Sequence, residues 1–402
     1  MNLKQYKNCK KILLLYSGGL DTSFLLKYFT QELAVEVYTI SFDLGGHKSE
    51  IELIEKRAQS LGSKKHFNIK AEKTFIEKYC APAIKTNALF RGNHPLSSSL
   101  SRPLMAKIAV ETAKQNNCDT IMHGSNGWQN NSARFDTSIL CLTDIKIIEP
   151  VMENNLTREF EYNYLKKHGV EIDKTEDNLL SSDNNIWGRE IEDGILEQMY
   201  TEPNENIYKL TASLENTPDT PDYIEIEFRN GLPIKLNGFG LSLLEIVKCL
   251  NKLGGHHGVG RHDALEDKII GYKMREIHES PAATIIIHAH RDLEQLILPR
   301  RTLKIKSIID SEWTDLVCFG LWYHPAKRAL DAYIEKTNQS LNGTIRIKLF
   351  KGKGQVVGRK SKFALINLEL KNMKNTKFKS LYPSRNFYDF YAFESVISSN
   401  YK

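Results

Sequence analysis

The segment Lys11-Ile-Leu-Leu-Leu-Tyr-Ser-Gly-Gly-Leu-Asp-Thr-Ser23 sets three hydroxyls, two glycines and one carboxylate within seven residues, directly after an apolar run. Gly18 and Gly19 let the backbone come close to a ligand. Successive N–H groups in such a turn, backed by the positive end of a following helix, make a concave anion site that the Ser17, Thr22 and Ser23 hydroxyls complete. Asp21 is the odd charge there. Its natural role is to hold a Mg²⁺ that bound phosphates share. A bare Ser-Gly-Gly would be only a tight polar turn; in this context the string reads as an ATP pyrophosphate loop. It is not a Walker A loop. No Lys follows the second glycine, so chemistry at the γ-phosphate is not what it advertises.

The flanking elements fit that chemistry. Ile12 to Leu15 form the uninterrupted apolar run of a buried parallel strand, and Leu20, Phe24, Leu25 and Tyr28 recur at helical spacing. Strand signals at 35–44, 66–69, 120–124 and 145–148 alternate with helix signals at 50–61 and 104–114. That alternation predicts a parallel sheet wrapped by helices, with ligands outside the carboxyl ends of its strands, where 17–23, 43–46 and 123–131 fall. A helix over 157–168, stopped by Gly169, closes this half. Beyond it, 222–236 reads as two strands joined at Asn230-Gly231, with Pro233 pushing the second towards an edge. Ser242 and Glu245 have capping-box spacing and open a helix to Leu253, ended by Gly254-Gly255. Strands are predicted at 284–288 and 344–350. The second half thus reads as an α+β domain, followed by an aromatic tail (Phe387, Tyr388, Phe390, Tyr391, Phe393) that suits packing on another subunit.

At 402 residues the chain should hold two domains with ample core, and 41% hydrophobic with 26% charged residues describes an ordinary soluble protein. The net charge of +6 suits anionic substrates and is too dispersed to demand nucleic acid. Six cysteines (Cys9, Cys80, Cys118, Cys141, Cys249, Cys318) form no C-x-x-C pair, so neither a zinc site nor a disulfide framework is indicated, and a cytoplasmic location fits. Lys10-Lys11 before an apolar run resembles a signal peptide, but the run breaks at Ser17; no segment approaches a membrane span. Gly255 to Asp263 carries three histidines, but its glycines indicate a backbone-shaping loop rather than zinc. Lys351 to Gly354 reads as a hairpin tip and Pro299-Arg300-Arg301 as an exposed turn.

The loop, taken with Asp43-Leu-Gly45, Asn87-Ala-Leu89, Arg102-Pro103, His123-Gly124, Arg134-Phe135, Asn185 to Arg189, His257 to Arg261 and Ala289 to Leu293, resembles the argininosuccinate synthase family in order and spacing across nearly the whole chain. The resemblance implies a parallel-sheet adenine-nucleotide α-hydrolase-like domain over 1–170, an α+β synthetase domain over 171–365 and a C-terminal oligomerisation segment over 366–402, in a homotetramer. It implies that ATP adenylates the ureido oxygen of citrulline, releasing pyrophosphate, and that aspartate then displaces AMP. Carried over by position, Tyr16, Ser17, Gly18, Gly19, Leu20, Asp21, Thr22, Ser23, Phe42, His123 and Gly124 bind ATP, with Asp21 on Mg²⁺ and Asp21, Ser17 and Arg134 catalytic. His94, Ser99, Asn130, Arg134, Ser181, Glu190, Glu266 and His278 take the ureido substrate, and Ser98, Asn126, Asn130 and Asn131 the amine.

Several of these depart from the family pattern. His94 and His278 stand for tyrosines, Glu190 for serine and Phe42 for a small residue. The family's Thr-Gly-Lys-Gly-Asn-Asp reads Asn126-Gly-Trp-Gln-Asn-Asn131 here. At 131 an anionic carboxylate able to hold an ammonium has become a neutral amide, and Trp128 removes a positive charge. A divergent paralogue with the same adenylation chemistry and another acceptor or amine is the alternative. A tRNA-modifying enzyme would need a reactive cysteine and a basic surface, and an inactive nucleotide binder would not need the intact loop.

Overall fold

A computed structural model of the chain describes residues 3–45, 48–170, 180–366 and 385–399. Contacts divide the chain into Met1–Phe363 and Ala364–Lys402.

In the first unit, β1 (Lys11–Leu15), β2 (Glu36–Asp43) and β3 (Lys65–Lys70) precede a short hairpin, β4 (Leu89–Phe90) with β5 (His94–Pro95). β6 (Thr120–Met122) and β7 (Lys146–Ile148) complete a five-stranded parallel sheet of order β3-β2-β1-β6-β7. β1 is central and alternates its faces. Ile12 and Leu14 pack with Phe24, Leu25 and Phe29 of the helix Leu20–Gln31, whereas Leu13 and Leu15 pack with Ala106, Ala109 and Ala113 of Ser98–Gln115 and Phe135 of Asn131–Leu140. Both faces are therefore covered, which is what makes a continuous Ile-Leu-Leu-Leu run the right sequence for this strand. Strand order reverses on either side of β1, so the crevice at its carboxyl end opens above the Ser17–Ser23 loop.

Among the described residues nine further strands follow: β8 (Ser181–Asn185), β9 (Gly188–Glu192), β10 (Asp222–Arg229), β11 (Leu232–Leu236), β12 (Phe239–Gly240), β13 (Arg261–Asp267), β14 (Lys273–Glu279), β15 (Gly343–Phe350) and β16 (Lys353–Lys360). They make two antiparallel sheets, β13-β14-β9-β8 and β12-β11-β10-β15-β16. The β10–β11 hairpin turns at Asn230 and Gly231, both left-handed at φ 49° and 76°. Its outer neighbour β12 pairs only with Lys235 and Leu236, which leaves Pro233 past the end of that ladder.

Three expectations are corrected. Residues 284–288 are not a strand but part of the first turns of the helix Pro281–Ile297: three consecutive isoleucines satisfy a buried helix as well as a strand, and length decides. The capped helix from Leu243 continues through Gly254 and Gly255 to His256, because those glycines let Leu210 and Pro281 pack directly on its backbone. Pro299-Arg300-Arg301 opens the helix Arg300–Cys318 rather than forming a turn.

The second unit contributes the helix Arg385–Ser399, on which Phe387, Tyr388, Phe390, Tyr391 and Phe393 are all exposed.

Candidate active site

The Ser17–Ser23 loop is held by its own hydroxyls and by the helix Lys48–Ser60. Gly18 sits at φ +79°, where an added Cβ would meet the Ile54 side chain at 3.0 Å. Its carbonyl accepts from Arg57 at 2.7 Å, and the Ser17 hydroxyl bridges the Gly19 N–H (3.2 Å) and the Thr22 hydroxyl (3.1 Å). Ser23 is fully buried, with its hydroxyl 3.2 Å from the Tyr16 phenol, and the Leu20 side chain packs on the core. These two shape the loop; Tyr16, Ser17, Asp21 and Thr22 line a cavity of about 380 Å³ above it. Phe42 from the end of β2 and His123-Gly124 from the end of β6 line the same cavity. A Cβ on Gly124 would lie 3.1 Å from the Thr22 methyl and 3.3 Å from Asp21 Cβ, so only glycine lets the two loops close against each other. A nucleotide fits this donor set: a glycine turn at a helix N-terminus for phosphate, one carboxylate for Mg²⁺ and an aromatic wall for a base.

A second, nearly closed pocket of about 10 Å³ lies beside it, lined by Gln129, Asn130, Asn131, Arg134, Asp183, Glu190, Glu192, Glu266, Lys268 and Glu276. Gln129, Asn131, Asp183 and Glu192 line both spaces, which makes them contiguous. Arg134 is the hub. It donates to Glu266 at 2.9 Å, to the Ser98 hydroxyl at 2.9 Å and to the Cys318 carbonyl at 2.7 Å. Ser98 N–H in turn donates to Glu190 at 2.7 Å, placing that carboxylate on the N-terminus of the helix Ser98–Gln115.

Lys268 is buried among three carboxylates: Glu266 at 3.0 Å, Glu192 at 3.3 Å and Glu276 in close contact. Burial pushes the Glu266 carboxyl up, but Arg134 and Lys268 outweigh it and hold it well below the usual carboxylate range. Burial and the neighbouring Glu266 charge push Glu276 well above it. Within one cluster the two acids are thus shifted in opposite directions.

His94 and His278 stack with ring centroids 3.9 Å apart and planes 20° apart, both buried. Burial, helped by the facing His278, drives the His94 imidazole down to about 2; burial likewise lowers His278. Two neutral rings thus occupy the wall where β14 pairs with β9 at His278 and Glu190.

The Asn126–Asn131 loop is clasped to the β13–β14 hairpin. Asn130 donates to the Asp267 carbonyl (3.0 Å) and accepts from Ile269 N–H (2.9 Å), and the Tyr272 hydroxyl donates to the Trp128 carbonyl (2.5 Å). Asn131 accepts from Arg102 at 3.1 Å, and Arg102 also pairs with Asp183. Trp128 is 69% exposed, and with Asn126 it lines a third cavity of about 630 Å³, which shares Gln129 with the other two. Ser99 is buried at the start of its helix, and Ser181 lines the nucleotide cavity rather than the smaller pocket.

The sequence reading missed Arg102, Asp183, Glu192, Lys268 and Glu276. Charged residues two apart at the end of β13 (Glu266, with Lys268 just past it), diagonally across from Glu276 of β14, were the available signal, since strand alternation puts Glu266 and Glu276 on one face.

Residues 11–171 match the arginosuccinate synthase N-terminal HUP domain, and residues 180–397 the arginosuccinate synthase C-terminal domain. The chain is 42% identical over 391 residues to argininosuccinate synthase of Pyrococcus furiosus, covering 97% of this chain and 94% of that protein. It is 43% identical over 362 residues to the Rubrobacter xylanophilus enzyme (90% and 88% covered) and 39% identical over 388 residues to that of Pyrobaculum aerophilum (96% and 97%). With both domains matched in order, and relatives aligned over almost their whole length, the chain belongs to the argininosuccinate synthase family.

Proposed function

We propose that the chain is an ATP-dependent carbon–nitrogen ligase that joins citrulline to aspartate in the cytoplasm, and that its aromatic C-terminal helix serves assembly into a tetramer. The observation that carries the reading is the shared wall of the two spaces: Gln129, Asn131, Asp183 and Glu192 bound both, so the polar cluster around Arg134 and Glu266 stands at the edge of the cavity that takes the α-phosphate.

A ureido oxygen is a poor leaving group. It attacks the α-phosphorus of ATP, the bond to pyrophosphate breaks, and the resulting adenylate carries a competent leaving group. The aspartate amine then attacks the ureido carbon, loses a proton, and AMP departs. Ser17, Thr22 and the Gly18-Gly19 backbone hold the departing pyrophosphate, with Asp21 holding Mg²⁺. When bound, that ion neutralises charge on the phosphates. Arg134 and Glu266 form a clamp for a zwitterion: guanidinium to carboxylate, carboxylate to ammonium. Asn126, Asn130 and Asn131 face the amine.

The stacked His94–His278 pair and Glu190 on a helix terminus favour a second reading, in which the acceptor is a ureido compound other than citrulline. Purified protein with Mg-ATP is assayed for pyrophosphate and AMP against a matrix of ureido compounds and amines. Stoichiometric AMP, pyrophosphate and argininosuccinate from citrulline plus aspartate is the expected result. Turnover only with another pair establishes the second reading, and no pyrophosphate from any pair overturns both.

A further inference from the structure

The pocket around Arg134 carries more acid than base. Asp183, Glu190, Glu192, Glu266 and Glu276 line it together with two cations, Arg134 and Lys268, and Arg102 engages Asp183 at its edge. Those cations are all taken. Arg102 pairs with Asp183, Arg134 with Glu266, and Lys268 with Glu192, Glu266 and Glu276. Glu190 is the acid left over: among the described residues no cation pairs with it, and its hydrogen bond is the Ser98 N–H, which donates to Oε1 at 2.7 Å.

The helix start at Ser98 offers about half a unit of positive charge, enough to hold one carboxylate oxygen. Glu190 Oε2 has no such partner among the described residues, on a side chain that lines the pocket. The strand beside it is unsatisfied too. His278, which pairs with Glu190 across β14 and β9, is 1% exposed and leaves both ring nitrogens without a hydrogen bond, with Glu276 standing 3.4 Å from Nε2. Polar atoms buried in this way cost stability until a bound group pairs with them. The charged groups that act on this ring are Glu190, Glu266, Lys268 and Arg134, all of the same pocket.

We propose that the pocket takes ureido compounds bearing one more positive charge than citrulline, an assignment that rests on the second reading above and names the charge of its acceptor. Two kinds of molecule meet the description: an ω-ureido alkylamine, and a ureido amino acid whose carboxyl is masked as an amide. Citrulline is a zwitterion. It exchanges one charge for another at Arg134 and Glu266, leaves Glu190 uncompensated, and brings a sixth carboxylate to the five already there. An added ammonium on Glu190 Oε2 supplies the missing cation through a charge-assisted hydrogen bond. The bonds that form and break stay the same: the ureido oxygen attacks the α-phosphorus, pyrophosphate leaves, and the ammonium only anchors the acceptor.

Calorimetry on the full chain with Mg²⁺ and α,β-methylene-ATP, which cannot release pyrophosphate, measures binding apart from turnover. The titrants are citrulline, citrullinamide and ureidobutylamine. Both cations should bind at least about tenfold more tightly than citrulline, the size of one charge-assisted hydrogen bond. Glu190→Gln keeps the shape of the side chain and should abolish that preference, as should Glu190→Ser. Citrulline binding as tightly as the cations, binding of none of the three, or a preference that survives Glu190→Gln overturns the proposal. The ligase reading has its own readout, pyrophosphate release from ATP. Release with citrulline and no preference for the cations removes the proposal and leaves the ligase, whereas preferential binding of the cations without release from any acceptor removes the ligase and leaves the proposal.

Discussion

Arg134 and Glu266 meet at 2.9 Å, with their side chains only 5% and 7% exposed. In the free protein each neutralises the other. A zwitterionic amino acid can replace that contact without leaving either charge unpaired, by giving its carboxylate to Arg134 and its ammonium to Glu266. Such exchange is a way to make a buried ion pair serve recognition rather than stability.

Replacing Glu266 by Gln keeps the shape and removes the charge. Arg134 and Lys268 then lose their common partner, and breaking a buried pair from one side costs about 3–5 kcal/mol. Urea unfolding should show a loss of that order, and the KM for the ureido substrate should rise at least tenfold while the KM for ATP moves little. An unchanged KM for the ureido substrate would remove Glu266 from recognition.

The His94 imidazole supplies a pH signature. Its folded pKa lies near 2, against 6.5 for a free histidine. Below 6.5 the unfolded chain takes up a proton that the folded one refuses, so this residue lowers stability as pH falls from 6.5 towards 2. The slope approaches about 1.4 kcal/mol per pH unit. His94→Tyr removes the group, and titrations other than that of the stacked His278 cancel in the comparison. Between pH 6 and 4.5 the wild type should lose stability relative to His94→Tyr at roughly that slope; parallel curves would show that the ring is protonated in the folded state.

The parallel half was legible because its signals are local. A continuous apolar run, a Gly-Gly turn and helical spacing are each set by neighbours in sequence, and Lys11–Leu15 followed by Leu20–Gln31 comes directly from them. The Asn230-Gly231 hairpin and the Ser242–Glu245 capping box were legible for the same reason. Residues 284–288 misled because a short apolar stretch has no period to distinguish strand from helix. The charge cluster around Lys268 was invisible for another reason. Glu192 and Glu276 lie far apart in the chain, and only the pairing of β13, β14 and β9 brings them together.

The backbone at Gly18 separates a loop effect from a general one. Alanine there must hold φ +79° and place its Cβ 3.0 Å from Ile54, whereas alanine at Gly92 adopts φ +71° with nothing within 4 Å. Both should lose about 1–2 kcal/mol from left-handed strain. Only Gly18→Ala should raise the KM for ATP, by an order of magnitude or more. Equal KM values for the two variants would mean that the Ser17–Ser23 turn does not hold the nucleotide.

Asp21 faces the nucleotide cavity from the first turn of its helix. Asp21→Asn keeps the size of the side chain and removes the anion that would hold Mg²⁺. Pyrophosphate release should fall at least a hundredfold with far-ultraviolet circular dichroism unchanged, and raising Mg²⁺ should recover part of it. A variant with wild-type turnover at low Mg²⁺ would refute the assignment.

Asn131 stands where the family pattern has an aspartate, and its amide oxygen already accepts from Arg102, which Asp183 also engages. Asp at 131 would keep the Arg102 contact through one oxygen and leave the other for an ammonium. A charge-assisted hydrogen bond exceeds a neutral one by about 1 kcal/mol, or roughly fivefold in affinity. Asn131→Asp should therefore lower the KM for aspartate about fivefold at saturating ATP and ureido substrate. Should the KM stay within twofold, Arg102 takes up the whole of the new charge, and amine selection rests with Asn126 and Asn130 instead.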